Sequence, residues 1–184
     1  MVKGMKLTDL EIPEISLRNK RRLLFVILIF AVEIFEKSRF IPQLFSVSPM
    51  VMVPIAVIIA LYEKSIPGMM FGILCGALWD LTATTPDGFY TVLLAAAGFV
   101  CGSLSSFLVR TNLLSSLLLT FFASAGCGVL HWIFFFALKG YEGAFSVLFV
   151  HYLPSVLYTL IFGVIVYYVI DYIVKNTKEK KKRF

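Results

Sequence analysis

Long apolar runs separated by short polar turns dominate this sequence. Six such runs cover residues 23–40, 50–62, 67–83, 89–109, 113–138 and 155–173. Most are long enough to cross the hydrocarbon core of a bilayer as a helix. Charged residues make up only 15% of the chain, whereas soluble domains carry about a quarter. The pattern predicts an all-α polytopic membrane protein with about six transmembrane helices and no separate soluble domain.

Basic residues gather at both ends of this apolar region. Four lie between residues 18 and 22, directly before the first run, and six lie between residues 175 and 183. Such clusters mark the cytoplasmic side of a membrane and attract anionic lipid. We therefore expect a cytoplasmic polar segment at 1–22, a six-helix membrane domain at 23–174 and a basic cytoplasmic tail at 175–184, with both termini inside. Nucleic acid is not an expected partner, because the positive charge is split between two ends of a membrane domain.

Prolines shape the shorter runs. The run 50–62 carries Pro54 and is short, so it either crosses with a tilt supplied by its flanks or is partly re-entrant. Pro67 stands where the start of a helix tolerates proline. Pro154 divides the last stretch, so that 144–153 lies at the interface or extends the helix with a kink, and 155–173 crosses.

The third run carries a regular series of small residues that ends in an acid. Gly68, Gly72, Gly76 and Asp80 are four residues apart, which places them on one side of a helix. Three glycines leave a groove where a second helix can approach closely. Asp80 is expected to cap the outer end and to hydrogen-bond the threonine-rich turn or a partner; the alternative is a solvated acid at the interface. Gly88 ends that turn and opens the next run.

A second set of small residues follows in the fourth run, at Gly98 and Gly102. The pairs Cys75–Gly76, Cys101–Gly102 and Cys127–Gly128 also recur at equal spacing. Consecutive spanning helices are antiparallel, so this spacing is not a simple repeat. It predicts close packing of the third, fourth and fifth runs at similar membrane depth.

Few ionisable residues lie inside the apolar runs, and such residues are functional candidates by default. Glu33 is four residues before Lys37, which suits a helical ion pair; a polar contact to a partner helix is the alternative. His131 stands beside Trp132 and is expected to be packed with one hydrogen-bond partner. No catalytic or metal-binding motif accompanies them, so we expect no enzymatic activity, no metal and no cofactor.

The central stretch resembles the rod shape-determining protein MreD family. The resembling residues read GILCGALWDL at 72–81, TATTPDG at 82–88 and FYTVLLAAAGF at 89–99; Asp87 departs from the family, where an apolar residue is commoner. The resemblance implies a non-enzymatic scaffold of the bacterial cell-elongation machinery, in the cytoplasmic membrane. It also implies a fold similar to the substrate-binding subunits of energy-coupling factor transporters. The implied partner is MreC, a single-span protein, with MreB and the peptidoglycan synthase pair as indirect partners.

Two alternatives stay open. A bundle with central glycines can enclose a small ligand, as in a vitamin-binding subunit of an energy-coupling factor transporter. Such subunits carry an Ala-x-x-x-Ala contact on the first helix, whereas the stretch 23–35 has a single alanine. An intramembrane enzyme would require Asp80 or His131 to be essential for the turnover of a lipid-linked substrate.

Overall fold

The computed structural model describes residues 8–38, 49–82, 88–107, 111–138 and 151–177. These residues form six α-helices and no strand, which confirms the all-α prediction. The helices are α1 (Thr8–Lys37), α2 (Met52–Glu63), α3 (Ser65–Asp80), α4 (Phe89–Phe107), α5 (Leu113–Trp132) and α6 (Leu153–Thr177). The basic tail beyond 177, the stretch 144–150 and the turn at 83–87, on which predictions also fell, lie outside the described residues.

The short helix α2 is the centre of the bundle. Up to the terminal Glu63 its residues are apolar on every side, and all of its residues except Tyr62 are buried. A helix that is hydrophobic all round belongs in a core, and α2 contacts each of the other five helices. Its 12 residues measure about 18 Å, less than the hydrocarbon thickness of about 30 Å. The run predicted to be tilted or re-entrant is therefore the buried central helix.

The first helix is longer than its apolar run. α1 continues without a break from Thr8 to Lys37, so the predicted boundary at residue 22 falls inside a helix. Leu23, Ile27 and Ile34 lie on its exposed side. α1 touches α2, α3 and α6 only sparsely, which makes it a peripheral helix.

Prolines and one tight turn set where the inner helices begin. Pro54 is the third residue of α2, Pro67 the third of α3 and Pro154 the second of α6. In the first turn the N–H group that proline lacks would have no partner inside the helix anyway. Lys64 alone separates α2 from α3 and adopts a φ of 74°. This left-handed residue reverses the chain, and its carbonyl accepts a hydrogen bond from Gly68 N–H at 2.9 Å.

The outer helices are polar inside and apolar outside. On α5 the hydroxyl residues Ser116, Thr120 and Ser124 are 0% exposed, whereas Leu118 is 50% and Phe122 is 66% exposed. Ser116 and Ser124 satisfy their hydroxyl groups on carbonyls of their own helix. A soluble protein shows the opposite arrangement, and large exposed apolar surfaces mark contact with a membrane or a partner.

Two helical stretches are long and apolar enough to cross a membrane, Leu113–Phe135 and Leu153–Thr177. The first includes α5 and part of a wider π-type turn, Ile133–Ala137, that prolongs it. Three shorter apolar helices accompany them, Met52–Glu63, Ser65–Asp80 and Phe89–Ser105. The prediction of six crossings stays a prediction.

Candidate helix-packing and partner-binding site

Five glycines lie together where α3 meets α4, and we call them the glycine seam. It consists of Gly68, Gly72 and Gly76 on α3 with Gly98 and Gly102 on α4. A Cβ atom added to Gly72 would overlap the carbonyl of Leu94, and one on Gly76 would lie 2.6 Å from the carbonyl oxygen of Tyr90. These are backbone neighbours, which cannot move aside as a flexible side chain can. The glycines are therefore required for the two helices to approach.

The contacts of the seam follow an antiparallel register. Gly68 meets Gly98, Gly72 meets Leu94 and Gly76 meets Tyr90, so a step of four residues along α3 matches a step of four back along α4. At one end, a Cβ on Gly102 would lie 2.6 Å from the carbonyl carbon of Lys64. The α2–α3 turn thus rests on α4. The glycine face of α3 is occupied inside the chain and has no room for a helix from another protein.

The predicted close packing of three runs is wrong for α5. α3 and α4 contact each other along their length, whereas α5 packs mainly on α2 and α6 and barely touches α4. Cys75, Cys101 and Cys127 are all buried. The equal spacing in sequence reflects helix and turn length, and it carries no information on which helices become neighbours.

Asp80 caps the following helix. Its carboxylate accepts hydrogen bonds from the backbone N–H groups of Tyr90 at 3.0 Å and Thr91 at 2.8 Å, and from the Thr91 hydroxyl at 2.6 Å. The residue is 8% exposed, so the alternative of a solvated acid is wrong. The turn at 83–87 lies outside the described residues, so the predicted bond from Asp80 to that turn or to a partner stays a prediction; among the described residues, Asp80 bonds the start of α4. A carboxylate is repelled by the carbonyls that end α3 and attracted by the free N–H groups that begin α4.

Gly88 explains why α4 needs a cap from another helix. It immediately precedes α4 and has a φ of 93°, a conformation that side-chain-bearing residues rarely adopt. Glycine has no side chain that can accept from the first N–H groups of the helix, as serine or aspartate does at this position. An added Cβ would meet nothing within 4 Å. The constraint at Gly88 is thus conformational, and Asp80 supplies the missing acceptor.

Glu33 lies near the same end of the bundle, between α1 and the end of α3. It is 9% exposed and accepts a hydrogen bond from the Thr82 hydroxyl at 3.3 Å. The Lys37 ammonium is 3.9 Å from the same carboxylate. The predicted i,i+4 ion pair between Glu33 and Lys37 is present but long. The hydrogen bond from Thr82 also links Glu33 of α1 to the residues that follow α3.

His131 is the centre of an aromatic cluster at this end. Its Nδ1 atom is 2.5 Å from the Tyr152 hydroxyl, and its ring stacks on Phe135 at 4.5 Å and on Tyr90 at 5.8 Å. Trp79 stacks on the other side of Tyr90 at 4.2 Å. His131 therefore has the packed position with a hydrogen-bond partner that its apolar surroundings favour, and it ties α5 to α4 and to the start of α6.

Sequence reasoning missed a buried ion cluster at the opposite end. Arg21 and Arg22 of α1 both bind the carboxylate of Glu63, the last residue of α2. The Glu63 side chain is only 2% exposed. The basic residues before the first run were predicted to attract anionic lipid, and their pairing with Glu63 was not predicted. The available signal was a single acid closing a wholly apolar helix, since a buried carboxylate requires a charged partner.

A second polar contact at the Glu63 end joins α2 to α6. Asp171 and Lys175 form an i,i+4 ion pair at 2.6 Å. Asp171 also accepts a hydrogen bond from the Tyr62 hydroxyl at 2.9 Å. Charged side chains thus concentrate at the two ends of the bundle.

An open apolar groove separates α4 from α5. Its volume is about 460 Å³. Its walls are apolar residues of the two helices: Leu93, Ala96, Ala97, Val100, Cys101 and Leu104 on α4, and Leu119, Phe122, Ala123, Gly126, Cys127 and Leu130 on α5. We call it the α4–α5 groove. A Cβ on Gly126 would meet nothing within 4 Å, so this glycine faces open space, unlike those of the glycine seam.

The predicted site residues Glu33, Asp80 and His131 are engaged in structural contacts. The Asp80 carboxylate is committed to three donors, and no hydrogen bond joins it to His131. In the described part of the chain, no group of three His, Cys, Asp or Glu side chains is placed to hold a metal ion. No protein-family model matches this chain, and no curated protein or solved structure resembles it significantly. Its function is therefore argued from its own residues.

Proposed function

We propose that this protein is a non-enzymatic membrane scaffold that binds the single span of a partner protein in the α4–α5 groove. The groove is the observation that carries the proposal. It is open, apolar and unfilled by the described helices, and hydrophobic surfaces of this kind between helices are where other proteins or lipids bind.

The small residues of the groove favour a helix as its occupant. Ala96 and Ala97 on one wall face Ala123 and Gly126 on the other. Helices associate in membranes through small residues that let backbones approach. The glycine seam illustrates the principle within this chain, but its glycines are already used internally. The small residues that are still open to a partner are those of the groove.

A membrane setting agrees with the polarity of the outer helices. Hydroxyl side chains face inward on α5, and leucine and phenylalanine face outward. Six crossings with both termini inside would place Asp80 and His131 near the outer surface and Glu63 near the inner one. The basic residues at the Glu63 end are then on the cytoplasmic side, as the distribution of Lys and Arg in membrane proteins favours.

The resemblance to the MreD family implies a specific partner. It points to MreC, whose single span would enter the groove and whose external domain would lie beyond the Asp80 end. MreB and the peptidoglycan synthase pair would be reached through that contact. The alternative, a vitamin-binding transporter subunit, fits the groove less well, because the lining offers almost no hydrogen-bonding group to hold a polar ligand.

Purification from native membranes tests the proposal. The tagged protein is extracted in mild detergent, and the proteins that stay bound are identified by mass spectrometry. Gly126→Leu is the groove variant, since a Cβ added there has no described atom within 4 Å and the side chain beyond it would occupy space that the partner requires. Ile161→Phe is the control, because it adds similar bulk at a position on α6 that is 62% exposed and outside the groove.

We expect a near-stoichiometric single-span protein with an external domain to accompany the parent chain and Ile161→Phe. Gly126→Leu should lose it while keeping the parent thermal stability. An ATPase module or a retained vitamin-like ligand, with no single-span partner, would contradict the scaffold proposal. Full retention of the partner by Gly126→Leu would show that the groove is not the binding surface.

A further inference from the structure

The cluster of Arg21, Arg22 and Glu63 carries an unbalanced positive charge. Arg21 reaches one carboxylate oxygen through Nε at 2.7 Å and Nη2 at 2.5 Å. Arg22 reaches the other oxygen through Nε at 3.0 Å. One buried carboxylate neutralises only one of two guanidinium groups. The remaining positive charge lies on the outer side, because the Arg22 side chain is 40% exposed and that of Arg21 is 19% exposed.

The Arg22 guanidinium has hydrogen-bond donors that Glu63 does not use. Among the described residues, only its Nε has an acceptor, so both terminal nitrogens are available. Guanidinium nitrogens form a planar fork that matches the oxygens of a phosphate or carboxylate in a bidentate contact. The bond to Glu63 fixes the orientation of that fork before any ligand arrives, which lowers the entropy cost of binding.

Two further cations, Arg18 and Lys64, are close in sequence to members of this cluster. Arg18 is four residues before Arg22 and thus on the same side of α1, and it is exposed. Lys64 follows Glu63 directly and is exposed as well. Among the described side chains, Arg18, Arg21, Arg22 and Lys64 accompany Glu63 at this corner of the bundle, and the nearby Asp171 is already paired with Lys175, so the corner carries an excess of positive charge suited to an anion.

The apolar residues next to the cluster indicate which anion binds. Leu23 follows Arg22 and is 61% exposed, and Ile27, one turn further along α1, is 55% exposed. A molecule with a phosphate at Arg22 and an acyl chain along α1 would satisfy both surfaces. We propose that Arg18, Arg22 and Lys64 bind the headgroup phosphate of an anionic phospholipid, which braces α1 against α2. This inference rests on the membrane placement in the proposed function and does not depend on the partner.

Thermal unfolding of the full-length protein in detergent tests the site. Phosphatidylglycerol is the probe, phosphatidylcholine is the zwitterionic comparison, and inorganic phosphate tests the headgroup anion alone. Arg22→Gln removes the fork, and Arg22→Lys keeps the charge without the fork. Lys20→Gln is the matched control, because residue 20 is exposed on the same turn but points to another side of the helix.

We expect phosphatidylglycerol to raise the Tm of the parent and of Lys20→Gln by about 2–4 °C, a typical response of a chain this size to one added interaction. Arg22→Gln should lose most of this rise and bind the lipid roughly fivefold more weakly, with Arg22→Lys in between. An equal rise in Arg22→Gln, or with phosphatidylcholine, would overturn the proposal. So would an equal rise with inorganic phosphate, since the ligand would then be a free anion. Loss of the single-span partner alone would overturn the scaffold and leave this site standing.

Discussion

At the scale of single residues, Asp80 and Gly88 together form the N-cap of α4. A helix beginning usually combines an extended backbone and a side-chain acceptor in one N-cap residue. Here Gly88 provides the unusual backbone conformation, with a φ of 93°, and Asp80 provides the acceptor from the helix before it. The cap therefore also fixes α3 to α4, and its loss affects both the start of a helix and the contact between two helices.

We predict that Asp80→Ala destabilises the protein by about 2 kcal/mol, the upper range for loss of a cap. Two backbone N–H groups would lose their acceptor in a buried place. A shift of about 4–8 °C in Tm follows for a chain of this length, and thermal unfolding in detergent measures it. Thr91→Val removes only the hydroxyl bond and should cost less than half as much. A parent-like Tm in Asp80→Ala would contradict the capping role.

The sequence identified Asp80 and Gly88 as candidate residues. It did not reveal that Asp80 accepts hydrogen bonds at the start of the helix that Gly88 precedes. Spacing along one helix identifies which residues share a side, and it placed Asp80 at the end of the glycine row. Which N–H groups Asp80 accepts from depends on the path of the turn and on the position of α4. Neither is encoded in the local pattern, so the contact of Asp80 with the start of α4 was not predicted.

At the scale of helices, small residues occur in two different settings. In the glycine seam an added side chain would meet backbone atoms of the facing helix, whereas at Gly126 it would meet nothing within 4 Å. The sequence shows both as glycine in an apolar helix. Only the packing separates glycines that hold this chain together from glycines that are open to a partner.

This distinction predicts opposite outcomes for the same substitution. Gly76→Leu should force α3 from α4 and destabilise the protein by about 1–3 kcal/mol or more through overpacking. Gly126→Leu should leave the Tm of the isolated protein unchanged. Thermal unfolding of the two variants, purified side by side, measures the difference. If Gly76→Leu unfolds at the parent temperature, the seam is not tightly packed.

The boundaries of α2 and α4 followed from the sequence, whereas the start of α1 and the choice of helix neighbours did not. The runs predicted at 50–62 and 89–109 became α2 and α4 within a few residues, because apolar runs and prolines are local signals. α2 became the central helix because it is apolar on every side and too short to line the outside. The Arg22–Glu63 contact spans 41 residues, and no local pattern reveals such a pair.

At the scale of the whole molecule, the polar groups separate into two ends. Glu33, Asp80 and His131 belong to one, and Glu63 and Asp171 belong to the other. The apolar outer faces of α5 and α6 lie between them. In the proposed membrane placement these two ends would meet the two interfaces, and the predicted topology leaves one question to test, namely which end is outside.

Cysteine labelling answers that question. The native cysteines are buried at 0–4% exposure, so a membrane-impermeant maleimide should not modify the parent chain. Leu81, at the end of α3, is 82% exposed, and Asn112, before α5, is also exposed. On intact spheroplasts we expect Leu81→Cys to be labelled and Asn112→Cys to react only after the cells are opened. Labelling of Asn112→Cys from outside would reverse the topology, and with it the side on which the groove meets an external domain and Arg22 meets lipid.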